Sequence, residues 1–351
     1  SDASGNVRSG RKNFIINGDM RISQKGTSAI PTVSGAISTC DRWKGEHTTY
    51  FINKSEQLDD APVGFHKSMK VTCTATSGSR DASSYIIPFE ARLENDFANA
   101  LGVGKTGTKP FTISFWIKSN ETGTKMVDFV WTRTGNRNLS KSYTINSADT
   151  WEYKTITFPA CTASGSAVAT GLADVFAYWW MDAGATFASG TERTAWGPLD
   201  NTSRAAGVGT NAGVNSYWQM TGVQFEVDSA ATDFEHRSYG EELALCQRYF
   251  RTIGVGMKGC VQNSILILSC EYEVMRTTPS VSMITTGNFK ISDDYATDHN
   301  YTSGYALSSS ILTPIGGRIV VSGLSGLTTG RWMSIISPTT PADMFHLNSE
   351  L

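Results

Sequence analysis

The sequence predicts a mostly β protein: an N-terminal jelly-roll β-sandwich, a short connecting α-helix and a smaller C-terminal β-sandwich domain. Three observations predict it. Short segments with two-residue hydrophobic alternation follow one another almost from end to end, separated by Gly, Ser, Asn, Asp and Pro clusters. One segment alone combines a helical apolar stripe with a helix-start signal. The 351 residues are 40% apolar and 11% aromatic but only 18% charged, below the ~25% usual for globular domains.

Taken in order, residues 1–12 are polar and read as a flexible leader or tether. "NFIINGDMRISQKG" (13–26) reads as a strand, a tight reversal at Asn17-Gly18 and a second strand. Asn-Gly between apolar segments is the signal of a type I′ hairpin, in which both central residues take positive φ. A strand follows near 43–55, then "SMKVTCTAT" (68–76). "FTISFWIKS" (111–119) places Phe111, Ile113, Phe115 and Ile117 on one face. Strands at 125–134 and 151–160 come next. Residues 172–184 are apolar on both faces, as in a central strand. In "YWQMTGVQFEV" (217–227), Trp218 and Met220 share one parity and Val223, Phe225 and Val227 the other. A β-bulge at Thr221-Gly222 returns all five to one face. Residues 184–216 form a long polar, Gly-rich loop, the kind that is functional or covers a surface.

The helix begins at Ser238, with Glu241 three residues on as a capping box. Leu243, Cys246 and Phe250 form its stripe. Strands resume at 264–274, 280–286, 288–295, 304–313, 317–326 and 331–337. The domains are therefore 1–12 (leader), 13–237 (jelly roll), 238–252 (connector helix) and 253–351 (C-terminal β domain).

Little chemistry is spelled out. A net charge of −2 without a basic cluster gives no nucleic-acid footprint. The opening residues lack the apolar core of a signal peptide, and no run has the ~18–20 apolar residues of a membrane span. The six cysteines show no CxxC spacing and read as free thiols in a chain long enough to need no staples. Five scattered His form no metal motif, so no metal or cofactor is expected. "GVGKTGTKP" (102–110) lacks Lys after its second Gly and precedes a strand, unlike a phosphate loop. The acidic stretches 57–63 and 292–299 suit either Ca²⁺ or solvated turns.

Aromatic side chains are the better lead. Sugar rings present C–H faces that pack on indole and phenol rings, while their hydroxyls pair with carboxylates and amides. Trp196, Tyr295, Tyr301 and Trp332, with Asp298, are the candidate ligand contacts, against the alternative that such rings simply pack. Trp43, Trp116, Trp151, Trp179, Trp180 and Trp218 lie in strands and read as core or intersubunit packing.

"NFIINGDMRISQKG", then "DRW" (41–43), then "YWQMTGVQFEVDSAATDFEHRSYGEELALCQRYF" (217–250) resemble a family of tail-fibre and related virion structural proteins of tailed bacteriophages. Asp228 and Lys25 depart from the family pattern, where Gly and Arg are common. The resemblance implies a jelly roll similar to carbohydrate-binding modules, a helix and a C-terminal β domain, assembled as a homotrimer in the virion after synthesis in the host cytoplasm. It implies a non-enzymatic role in attachment. The partners would be other virion proteins, through the N-terminal segment, and a host surface polysaccharide or receptor. A capsid-decorating fibre is the alternative. A polysaccharide depolymerase is a third, against which stands the lack of a β-helix repeat. In a trimer, Leu243, Cys246 and Phe250 face either the axis or their own sandwich.

Overall fold

The computed structural model describes residues 11–29, 39–102, 107–132, 136–162, 175–254, 256–283, 289–293, 298–301, 305–336 and 345–349. The leader up to residue 10, Tyr295 and the middle of the acidic loop 292–299 lie outside the described residues. The protein is mostly β, and it divides into two compact units, one up to Glu242 and one from Leu243.

The strands of the first unit are β1 (Ser28–Ala29), β2 (Trp43–His47), β3 (Phe51–Leu58), β4 (Ser68–Thr76) and β5 (Tyr85–Leu93). Helix α1 (Asn95–Leu101) precedes β6 (Phe111–Ser119), β7 (Gly123–Trp131), β8 (Arg137–Ile145) and β9 (Glu152–Phe158). Then come β10 (Val175–Trp180), β11 (Asp182–Ala183), helix α2 (Ala185–Ala188), β12 (Gly197–Pro198) and β13 (Tyr217–Glu226). A front sheet runs β1-β3-β4-β13-β6-β9. In the back sheet, β2 lines one edge of β5, β10 and β11 line the other, and β7, β8 and β12 follow. Both sheets are antiparallel, and their inner faces enclose one aromatic-rich core: Phe111, Phe115, Phe129, Phe158, Trp179, Trp218 and Phe225 are buried there.

β13 shows how pattern becomes structure. Its pairing with β6 shifts register between Thr221 and Gln224. Gly222 takes φ +65° at that point. Trp218, Met220, Val223 and Phe225 all face the core as a result. β10 is central, as its two apolar faces require. Its outer residues Tyr178 and Trp180 lie under loop 185–210, which packs Phe187, Ala205 and Ala206 onto them.

Three differences from the sequence expectation bear on the first sandwich, besides the short helix α1, which the sequence reading does not mark. The strand near 43–55 is two strands in different sheets, because the chain turns at Thr48 and Phe51 N–H donates to Thr48 O. β5 and β8 are full strands that the alternation rule does not mark. In β5, Pro88 interrupts a run buried on both faces; β8 is polar along its outer face.

The third difference is the Asn-Gly opening, which is not a hairpin. Asn17 has φ +58° but Gly18 does not have positive φ, so the turn is not type I′. The segment instead lies against the bulged edge of β13. Phe14 N–H donates to Phe225 O, Val223 N–H donates to Gly18 O, and the Asn13 amide bridges Val223 O and Phe225 N–H. A Cβ on Gly18 would come within 2.2 Å of Val223 O, so glycine is required for close approach. The Asn17 side chain holds the rest of the plug: its Nδ2 donates to Ile22 O and Asp41 O, and its Oδ1 accepts from Ile22 N–H. Trp43 Nε1 donates to Asn17 O.

Helix α3 (Tyr239–Gln247) starts with the expected reciprocal capping box between Ser238 and Glu241. It ends before Phe250, which opens a strand. Cys246 and Phe250 are buried within a single chain, and Leu243 is half-buried.

The second unit has β14 (Phe250–Ile253), β15 (Lys258–Gln262), β16 (Ile265–Glu271), β17 (Ser280–Met283) and β18 (Phe289–Asp293). β19 (Asp298–Tyr301), β20 (Ala306–Thr313), β21 (Gly316–Ser322), β22 (Trp332–Ile336) and β23 (Phe345–Asn348) complete it. A sheet ordered β19-β18-β22-β15-β16-β21-β20 and a sheet ordered β14-β23-β17 share a core around Leu266, Leu268, Ile319, Ile335 and Phe345. All six cysteines are free thiols.

Candidate functional site

The outer face of the front sheet carries a groove of about 680 Å³. Its floor is set by strand parity. β6 turns Phe111, Ile113, Phe115 and Ile117 inward, so Thr112, Ser114 and Trp116 face out. β9 pairs Thr157, Thr155 and Tyr153 directly opposite them. The floor is therefore a double row of hydroxyls closed at one end by two rings. Trp116 and Tyr153 lie 5.3 Å apart at 45°, and Tyr153 is 45% exposed.

The opposite wall is a second aromatic group. Phe65, Phe234 and His236 contact one another at 4.9–5.5 Å. Phe65 occupies the space above Gly222, where a Cβ would lie 2.6 Å from its Cζ. The bulge glycine thus serves the core on one side and seats a ring on the other. Trp116 stands on β6, next to β13, and Tyr153 on β9, two strand spacings or about 10 Å from Gly222. Asp233 is the one carboxylate among the described lining residues, and no Lys or Arg lines the groove.

Beyond the ring end, Asp60 accepts from Lys118 Nζ, Trp151 Nε1 and Gln219 Nε2. Burial alone would raise its pKa, but these bonds outweigh it and hold the carboxyl below its ordinary range.

The back sheet's outer face is charged and roofed. Asp128 accepts from Ser140 Oγ, Asn138 Nδ2 and Arg204 Nε at 2.9, 3.2 and 2.6 Å. Arg204, from the covering loop, also stacks on Tyr178 and Trp180 at 5.0 and 4.9 Å. Beside this network burial, and next the neighbouring Glu90, push the Glu46 carboxyl up to about 7. A second depression, in the second unit, lies between Tyr272 and the β20–β21 turn.

The residues singled out in the sequence are placed as follows. Trp196 packs on Phe111, Phe129, Trp131 and Phe158 and donates its indole N–H to Pro159 O at 2.8 Å, closing the end of the sandwich. Tyr301 is buried, with its hydroxyl on Ser325 O at 2.6 Å. Neither ring stands open as a sugar platform. Asp298 pairs with Lys290 at 2.6 Å, and Trp332 is 58% exposed. Asp298 and Trp332 share a face of the second unit's larger sheet, with β18 between their strands. The groove residues Phe65, Trp116, Tyr153, Phe234 and His236 are not among the contacts that the sequence suggests. One signal was available: Trp116 shares parity with Thr112, Ser114 and Lys118, so it sits on the polar face of its strand.

No protein-family model matches the chain. No curated protein matches it. Among solved structures, the enzymatically active domain of bacteriophage CBA120 tailspike protein 4 is similar at 12% identity and TM-score 0.32, over 61% of this chain and 21% of that one. The CBM22-1–CBM22-2 tandem of Paenibacillus barcinonensis Xyn10C is similar at 10% identity and TM-score 0.31, over 98% of both chains. The C-terminal family 22 carbohydrate-binding module of Clostridium thermocellum Xyn10B gives 8% identity and TM-score 0.31, over 61% of this chain and all of that one. At these scores the likeness is remote.

Proposed function

We propose that the first unit is a non-enzymatic glycan-binding module of a virion fibre protein, a homotrimer that attaches the particle to a host surface polysaccharide. The observation that supports it is the groove: two groups of aromatic rings border a floor on which Thr155 and Thr157 are exposed beside the buried Thr112 and Ser114. Rings cover the apolar faces of a sugar, and hydroxyls and backbone carbonyls meet its edges. Asp233 is the one carboxylate among the described lining residues, and Lys12 Nζ stands beside it on Asp233 O, so the groove carries little net charge and suits an uncharged glycan. Glycoside hydrolysis by the usual route takes two facing carboxyl groups, and the described lining supplies one. The fibre role and the trimer rest on the resemblance of residues 13–26, 41–43 and 217–250 to tail-fibre proteins.

The test is titration of the protein with neutral oligosaccharides, xylohexaose and a mixed-linked β-1,3-1,4 tetrasaccharide, and with host surface polysaccharide. Trp116→Ala is expected to weaken binding about tenfold, equal to ~1.4 kcal/mol, without shortening of the sugar in either protein. Unchanged affinity in Trp116→Ala, or release of reducing ends, would overturn the reading. Light scattering is expected to give the mass of three chains.

A further inference from the structure

The groove wall formed by residues 229–236 has no strand ladder to hold it. Its Thr232 and Glu235 N–H groups are taken by side chains of β13, Glu226 Oε2 at 2.9 Å and Gln224 Oε1 at 2.8 Å. Gln224 Nε2 also donates to Thr232 O and Asp233 O, both at 3.2 Å, and Thr157 Oγ1 donates to Ser229 O at 3.2 Å. A second set of bonds comes from residues 12–17. In "DFEHR" (233–237) the side chains alternate. Phe234 and His236 join Phe65 in the groove, while Glu235 and Arg237 turn to residues 12–15. Glu235 accepts from the backbone N–H groups of Lys12 and Asn13 at 3.3 and 2.9 Å. Arg237 donates to Ile15 O at 2.9 Å and to Asn13 O, and it pairs with the buried Glu242, which also accepts from Asn17 N–H. Lys12 Nζ closes the wall's tip, donating to Thr232 Oγ1 at 2.7 Å and to Asp233 O.

We propose that Lys12, Glu235 and Arg237 are positioning residues for the ligand groove, so that docking of segment 12–17 sets how firmly the wall meets a glycan. The consequence for binding rests on reading the groove as a glycan site; the coupling of segment to wall does not. The physical reason is the shared short segment 233–237. A displacement of residues 12–15 removes the backbone partners of Glu235 and Arg237, leaving them their pairing with each other and Arg237 its pairing with Glu242, and it loosens the registration of the rings beside them. Coupling of this kind is reciprocal, so an occupied groove holds the opening segment more tightly in turn.

The first arm of the test needs no ligand. In the full chain, Lys12→Ala alone and Lys12→Ala with Glu235→Gln are compared with the wild type by amide hydrogen exchange. Exchange at Thr232 and Glu235 is expected to rise about tenfold in the double variant and less in the single, with Ile156 in β9 unchanged. Lys12→Arg is expected to restore the wild-type rates. Equal wall exchange in all four proteins overturns the coupling. The second arm uses xylohexaose. A saturating amount is expected to slow exchange at Asn13 and Phe14, and the double variant is expected to bind several-fold more weakly. If Trp116→Ala and the wild type bind alike, or neither binds, the glycan reading fails while the exchange arm still decides the coupling. Loss of binding in Trp116→Ala but full binding in the double variant overturns the proposal and spares the groove.

Discussion

The two outer faces of the first sandwich, built over one core, meet water in opposite ways. The front face exposes Thr155 and Thr157, with Thr112 and Ser114 buried beside them and rings at the margins. The back face carries Glu46, Glu90, Asp128 and Arg92 on its strands, and loop 185–210 lies over much of it with Arg204 paired to Asp128. The difference follows from desolvation. A hydroxyl row loses little when a ligand displaces its water, so it can stay uncovered as a receptive surface. Charges on a sheet strip several kcal/mol from the folded state if they are buried without partners. The covering loop is tolerated because it brings its own guanidinium and apolar side chains.

The comparison breaks most sharply at Asp128. Asp128→Ala leaves Arg204, Asn138 and Ser140 facing an empty, buried position. A loss of ~3 kcal/mol or more in unfolding free energy is expected in denaturant titration, whereas Thr155→Ala on the open face is expected to stay within ~0.5 kcal/mol. Next comes Gly222→Ala, where the added methyl meets Phe65 at 2.6 Å on a backbone with φ +65°. It is expected to cost ~1–3 kcal/mol and to shift the Phe65 ring signals, linking the core strand to the groove wall.

The smallest effect concerns Glu46. Its folded pKa of about 7 exceeds the ordinary 4.5, for burial first and the Glu90 charge second. The folded state therefore holds a proton that the unfolded chain releases, and stability falls as pH rises between those two values. Glu46→Gln is expected to be neutral near pH 4 and stabilising at pH 8, by no more than about 1 kcal/mol after solvent screening. A variant difference that is the same at both pH values would show that the pair shares no proton.

Elements written in one stretch of chain were legible. The capping box at Ser238 and Glu241, the inward face of β6 and the bulge at Thr221-Gly222 each follow from local spacing, and each is present. Elements decided by distant chain were not. Asn17-Gly18 carries hairpin chemistry, but the partner of Gly18 is Val223, and its close approach sets the backbone. β5 hides behind Pro88, which sits opposite the bulge of β2 at Gly45. The groove is not legible in the sequence for the same reason. Trp116 and Tyr153 meet only through β6–β9 pairing, and Phe65 and Phe234 come from loops whose rings join above a third strand.

The bulge in β13 also works as a reading frame. Side-chain direction in a strand is a binary code, and the bulge absorbs one extra character at Thr221-Gly222 so that both halves of the message stay in phase. A strand paired straight through Gly222 would have every letter after it inverted. Val223 and Phe225 would turn to water, and Gln224 and Glu226, which hold the groove wall at Thr232 and Glu235, would turn into the core. One slip of register would therefore erase the hydrophobic message and the binding message together.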